Sequence, residues 1–142
     1  MRHRHPSDTN ETKDRIQYLV RKIVMLRDGG CILRKVRCNN SIPMKGVVFQ
    51  ADHLVTRANT ATYSDVRLIV CVCKGCHAWK HWNKEQYDDQ VRTILPKDRV
   101  ELWDKAMKDS WRPKRNFTAD WKLEEVGLKQ MLKNMREGSA LL

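Results

Sequence analysis

The residues of this chain best equipped for chemistry fall between positions 52 and 81, in DHLVTRANTATYSDVRLIVCVCKGCHAWKH. Asp52-His53 open the stretch, His77 and His81 close it, and Cys73-Lys-Gly-Cys76 stands just before them. The other two histidines, His3 and His5, sit in a basic N-terminal arm. Two cysteines at this spacing, opening a helix, offer a pair of thiolates to one side of a tetrahedral ion. The second pair must come from elsewhere, and Cys31 and Cys38 are the cysteines outside the apolar core segment. Together the four predict a structural Zn²⁺ site that would substitute for core a small domain lacks. The alternative is four buried thiols with no metal. Six residues separate Cys31 from Cys38, a wider gap than a usual zinc knuckle has. Cys71 is left over, a small hydrophobe on an apolar strand.

His77 and His81 are one helical turn apart, which puts both imidazoles on one face where they could share an ion. A carboxylate from Asp52 would complete the set and leave positions open for water and a phosphate oxygen. His53 would then serve as a base, its ordinary pKa of about 6.5 suiting proton abstraction near neutral pH. The competing reading is a pair of surface histidines on a basic helix. Metal ligands beside an unligated histidine point to hydrolysis.

These side chains need elements to hold them. A helix is expected from about Asp8 or Thr9 to Asp28, with Asp8 and Glu11 as a capping box and Ile16, Leu19, Val20, Ile23, Val24 and Leu26 on or near one face. Gly29-Gly30 ends it. Its Arg15, Arg21, Lys22 and Arg27 are expected in solvent or on phosphate. Val47-Val48-Phe49 reads as a short strand delivering Asp52 and His53, and Leu68 to Val72 as a second strand buried on both faces. A helix follows from Cys76 to about Trp82. Further helices are expected over Lys84–Leu95, Asp98–Trp111 and Asp120 to about Met135, the last weakened by Gly127. Of Trp79 and Trp82, at least one is expected in the core and the other could stack on bases.

The chain has 142 residues and a net charge of +11, from 28 Lys+Arg against 17 Asp+Glu, with a pI near 9.7. Such an excess favours a polyanionic partner, because basic side chains release counterions from phosphates. No apolar run reaches the roughly 20 residues that span a bilayer, so no membrane association is expected. The polar start is unlike a secretory signal, so a cytoplasmic location is expected. There cysteines serve as thiols or metal ligands more than as disulfides.

Asp52-His53, the second strand, Cys73-Lys-Gly-Cys76-His77 and His81 resemble an HNH endonuclease of the His-Me finger (ββα-metal) superfamily. The knuckles are similar to those of phage NinG-type recombination endonucleases and endonuclease VII. The resemblance covers about residues 31–82. It implies an α+β, mainly helical fold: a ββα-metal core at about 46–82 with zinc knuckles, flanked by an N-terminal helix and C-terminal helices. A nuclease domain would occupy 1–110, with a basic hinge and helical extension over 111–142. His53 would deprotonate the attacking water. One Mg²⁺ or Mn²⁺, held at Asp52, His77 and His81, would stabilise the phosphorane and the leaving oxygen. The products would carry 5′-phosphate and 3′-hydroxyl ends. The implied partner is DNA, duplex or branched, in phage recombination or junction processing. A homodimer would suit four-way junctions, and a phage-encoded chain would act in the host cytoplasm. Arg57, Lys74, Lys80 and Lys84 would contact phosphate, with ordinary solvent exposure as the competing reading. One departure stands out: the family's central Asn is replaced by Leu68. Its bracing of the base would pass to a backbone carbonyl or to Asn59. Failing that, the chain would be a catalytically impaired, zinc-stabilised DNA-binding module.

Overall fold

A computed structural model describes residues 6–56, 62–110 and 120–138. The described residues form five helices and one two-stranded antiparallel sheet, a mixed α+β and mainly helical architecture. Helix α1 spans Pro6–Asp28, β1 Phe49–His53, β2 Ile69–Cys73, α2 Lys74–Trp82, α3 Lys84–Ile94, α4 Lys97–Ser110 and α5 Trp121–Arg136.

Helix α1 begins earlier than the capping-box reading placed it, at Pro6, a residue suited to a first helical turn because its missing N–H would have had no partner there. Ile16, Leu19, Val20, Ile23 and Val24 are buried as the periodicity requires, whereas Leu26 is exposed. Beyond α1 the chain doubles back sharply. The Cys31 N–H donates to the Asn40 carbonyl at 2.9 Å and the Ile42 N–H to the Gly29 carbonyl at 2.9 Å. Gly30 has φ +154°, and a Cβ there would lie 2.6 Å from the Asn40 oxygen, so only glycine fits this close approach.

The loop between Cys31 and Cys38 curls on itself. The Arg34 N–H donates to the Cys31 carbonyl at 3.0 Å, and the Lys35 N–H to the Cys38 carbonyl at 2.7 Å. One bond ties the loop to the sheet, from the Ile32 N–H to the Cys71 carbonyl at 2.7 Å.

Strand β1 starts later than expected and runs through Asp52 and His53 instead of ending before them; Asp52 pairs with Val70 and His53 with Ile69. All five residues of β2 are buried, in keeping with its unbroken apolar character. Its entry is held by two arginines. Arg27 donates to the carbonyls of Val66 and Ile69, each at 2.6 Å, and Arg99 to those of Arg67 and Ile69 at 2.9 and 3.2 Å. Asp28 accepts from the Cys71 N–H at 2.8 Å. Arg27, expected in solvent or on phosphate, is instead a structural clamp, because the otherwise unpaired carbonyls before β2 need donors.

Helix α2 begins at Lys74, directly from β2. Helices α3 and α4 bury Tyr87, Val91 and Trp103, and α5 lies along α1. Arg15 on α1 pairs with Glu125 on α5 at 2.6 Å. Trp121, Leu128 and Leu132 of α5 belong to the same buried cluster as the α1 face and β2, so this helix completes the core. The expected hinge, Arg112 to Arg115, lies outside the described residues. No helix is long and apolar enough to cross a membrane, among the described residues.

Candidate metal centre and histidine site

Two clusters flank the sheet. The first is cysteine. Cys31, Cys38, Cys73 and Cys76 place their sulfur atoms within 4.8 Å of one another. A tetrahedral Zn²⁺ with bonds of about 2.3 Å requires sulfurs about 3.8 Å apart, so the four fit a zinc ion with little adjustment. Three of them are buried and none is in a disulfide. Cys73 caps α2, its sulfur accepting from the Cys76 N–H at 3.4 Å. Burial opposes ionisation of Cys73, but that N–H and the Asn40 side chain, among other donors, bring it down to about 7. Burial pushes Cys31 up to about 11 and raises Cys76 as well. Cys73 is therefore the thiol readiest to meet a cation, and the others would release protons as the ion binds. This cluster could hold a metal ion such as zinc. Cys71 stays outside it, buried on β2 and pushed up to about 12 by burial and by Asp28.

The second cluster lies where β1 meets α2. Gln50 and Asp52 alternate with their neighbours and so share one face of the strand. His77 of α2 reaches both: its Nδ1 is 2.5 Å from Gln50 Oε1, and its Nε2 is 3.5 Å from Asp52 Oδ1. Lys80 sends its ammonium to both oxygens of Asp52, at 2.9 and 2.7 Å, and the Tyr87 hydroxyl donates to Oδ2 at 2.5 Å. Burial opposes the charge on Asp52, but His77, Lys80 and Tyr87 outweigh it and hold the carboxyl below its ordinary value. Burial, reinforced by the charge of Asp52, raises Tyr87, which remains a donor.

His81 is not brought to Asp52. Its ring is exposed and packs edge-on against exposed Trp82 at 5.1 Å. Among the described residues, the cysteines are the only group of three or more ligating side chains gathered closely enough to hold an ion. Helical geometry accounts for the split. From His77, Lys80 and His81 diverge to opposite sides by about 60° and about 40°. The sheet lies on the Lys80 side. Lys80, expected on phosphate, is thus committed to Asp52. An oxygen from Asp52 and a nitrogen from His77 are donors suited to a hard divalent cation, but fewer than the three ligands expected.

His53 is nearly buried rather than open to solvent, 9% exposed. Its Nε2 lies 2.9 Å from the Tyr63 carbonyl. A carbonyl can only accept, so Nε2 carries the proton and Nδ1 is the basic nitrogen of the neutral ring. A backbone carbonyl thus meets the imidazole; Asn59 and Arg57 lie outside the described residues. Tyr63 is itself backed edge-on by Trp121 of α5 at 5.2 Å, with the Lys13 ammonium 4.9 Å from the Trp121 ring. Leu68 is 2% exposed and belongs to the core. Lys74 is exposed at the start of α2, and Lys84 pairs with Asp88 at 2.7 Å. Trp79 is partly buried under the Arg37 guanidinium at 3.6 Å, whereas Trp82 is 84% exposed.

The motif reading missed Gln50, Tyr63, Tyr87 and Trp121. Strand alternation could have found Gln50, since it must share the face of Asp52. Nothing local marks Tyr63, which acts through its backbone, or Tyr87, which reads as an ordinary core aromatic. Comparison with family models, with curated proteins and with solved structures finds no match to this chain.

Proposed function

We propose that this protein is a metal-dependent DNA endonuclease of the HNH type, built on a ββα-metal core of β1, β2 and α2. The observation that carries the reading is the convergence of Asp52 and His77 at 3.5 Å across β1 and α2, with His53 next in the chain to Asp52 and hydrogen-bonded through Nε2. Phosphate binding alone does not call for a buried carboxylate, an imidazole and an oriented second histidine. Hydrolysis does.

His53 Nδ1 takes a proton from water, and the resulting hydroxide attacks phosphorus. The P–O3′ bond breaks, and the 3′ oxygen leaves to become a hydroxyl while the phosphate stays on the 5′ end. The Tyr63 carbonyl fixes the tautomer that makes Nδ1 the base, in place of the bracing that an Asn at position 68 would supply. Asp52 and His77 would hold the divalent ion, Mg²⁺ or Mn²⁺, whose charge would stabilise the phosphorane and the leaving oxygen. The net charge of +11 supports a DNA partner. Trp82, exposed beside His81, offers a stacking surface for an unpaired base.

The test is cleavage of a panel of junction, flap, duplex and single-stranded DNA with Mg²⁺ or Mn²⁺. His53→Ala should reduce the rate by at least about 100-fold, the usual contribution of a general base, while zinc content and fold persist. Equal rates in the two proteins would remove His53 from the mechanism. Leu68 favours a second reading, a zinc-stabilised DNA-binding module without activity. Salt-sensitive binding with no nicking in any metal would select it.

A further inference from the structure

Asp52 already has a cation. Lys80 reaches both of its oxygens, Tyr87 donates to one, and the carboxylate side chain is only 6% exposed. Carboxylate and ammonium cancel in charge, so a divalent ion approaching Oδ1 beside His77 would meet an ammonium within contact distance of its own ligand. Repulsion between such neighbours is large in a partly dry site. The ion therefore reaches Asp52 only as Lys80 leaves. A buried carboxylate cannot lose its counter-ion without a replacement, and an ammonium leaving it needs another anion. Lys80 has a long flexible stem, its side chain is 17% exposed, and it lies on the same helix as exposed Lys74. A phosphate oxygen of a nucleic-acid backbone would satisfy it.

We infer that Lys80 is a displaceable counter-ion that couples the two bindings: the divalent ion takes Asp52, a backbone phosphate takes Lys80, and each exchange favours the other. This device rests on the nuclease reading above. By linkage the coupling is reciprocal: DNA should tighten metal binding by the same factor as metal tightens DNA binding. The ion would then be recruited chiefly when substrate is present.

The experiment measures Mn²⁺ binding by the electron paramagnetic resonance of the free ion. It uses the full zinc-loaded chain carrying His53→Ala to prevent cleavage, with and without a duplex oligonucleotide. DNA should tighten Mn²⁺ binding about tenfold, within the usual range of coupling. Lys80→Met should bind Mn²⁺ at least about tenfold more tightly without DNA and lose the DNA enhancement. Lys80→Arg, whose planar fork grips a carboxylate more firmly, should bind Mn²⁺ more weakly than the parent. Equal Mn²⁺ affinity in parent and Lys80→Met, or an enhancement that survives that change, overturns the inference. If Lys80→Met fails to retain zinc, an unchanged affinity in Lys80→Arg overturns it instead. Failure of every variant to bind DNA would defeat the nuclease reading, and the Mn²⁺ titrations without DNA would still decide the role of Lys80.

Discussion

Asp52 is the residue on which the electrostatics of the site turn. It is buried, and burial alone would keep its carboxyl protonated to higher pH. His77, Lys80 and Tyr87 reverse that and hold it below its ordinary value of 3.8. A carboxyl depressed in this way adds stability above its unfolded pKa, and the gain is lost as pH falls through the lower folded value. The urea midpoint should therefore decline in acid, below about the ordinary carboxylate range. Asp52→Asn should be less stable at neutral pH and should show a shallower acid decline. Parallel declines in both proteins would assign the effect to other carboxylates.

At the scale of elements, helix periodicity was a sound guide to the buried faces. The apolar stripes of α1, α3 and α4 and the leucines of α5 face inward where the spacing put them. The exceptions, Leu26 and Ile94, lie at the edges of their stripes and are exposed. Helix α5 shows what periodicity omits. It reads as an extension, yet it buries Trp121 behind Tyr63 and so supports the peptide that meets His53. Gly127 interrupts it, and a Cβ there would meet no atom within 4 Å. Gly127→Ala should then stabilise the chain by about 0.5–1 kcal/mol, by lowering the entropy of the unfolded chain at an exposed helical position. Chemical denaturation would measure it. A loss of stability would mean that α5 is not helical at residue 127.

Over the whole molecule, the cysteine cluster is the long-range fastening. It joins the loop after α1 to the junction of β2 and α2, segments that otherwise share few polar links. Structural zinc is worth about 10–16 kcal/mol in small modules, comparable with the about 5–15 kcal/mol net stability of a domain. A strong chelator, or Cys73→Ser, should remove about one zinc per chain and abolish the cooperative thermal transition. Cys71→Ala should keep its zinc and lose only the modest stability of a small core truncation. Metal analysis and calorimetry on the same samples separate the two outcomes. A chain that melts unchanged after chelation would return the four sulfurs to the status of ordinary buried thiols.

Residue types and spacing by themselves determined the cysteine set, the strand and helix that carry the histidines, and the basic balance that calls for a polyanion. All of these follow from short-range rules: side-chain period, ligand chemistry, net charge. Tertiary structure alone decided the partners. His77 and His81 share a helix face in the abstract, but the angle at which α2 docks on β1 selects His77 and Lys80 and turns His81 outward. His53 meets the carbonyl of Tyr63, a backbone group that no side-chain pattern reports. Lys80 and Arg27 read as free cations and are bound ones, because a buried carboxylate and bare strand-entry carbonyls needed partners. Periodicity specifies which residues lie on one face of an element. What that face meets depends on how elements separated in the chain pack against each other.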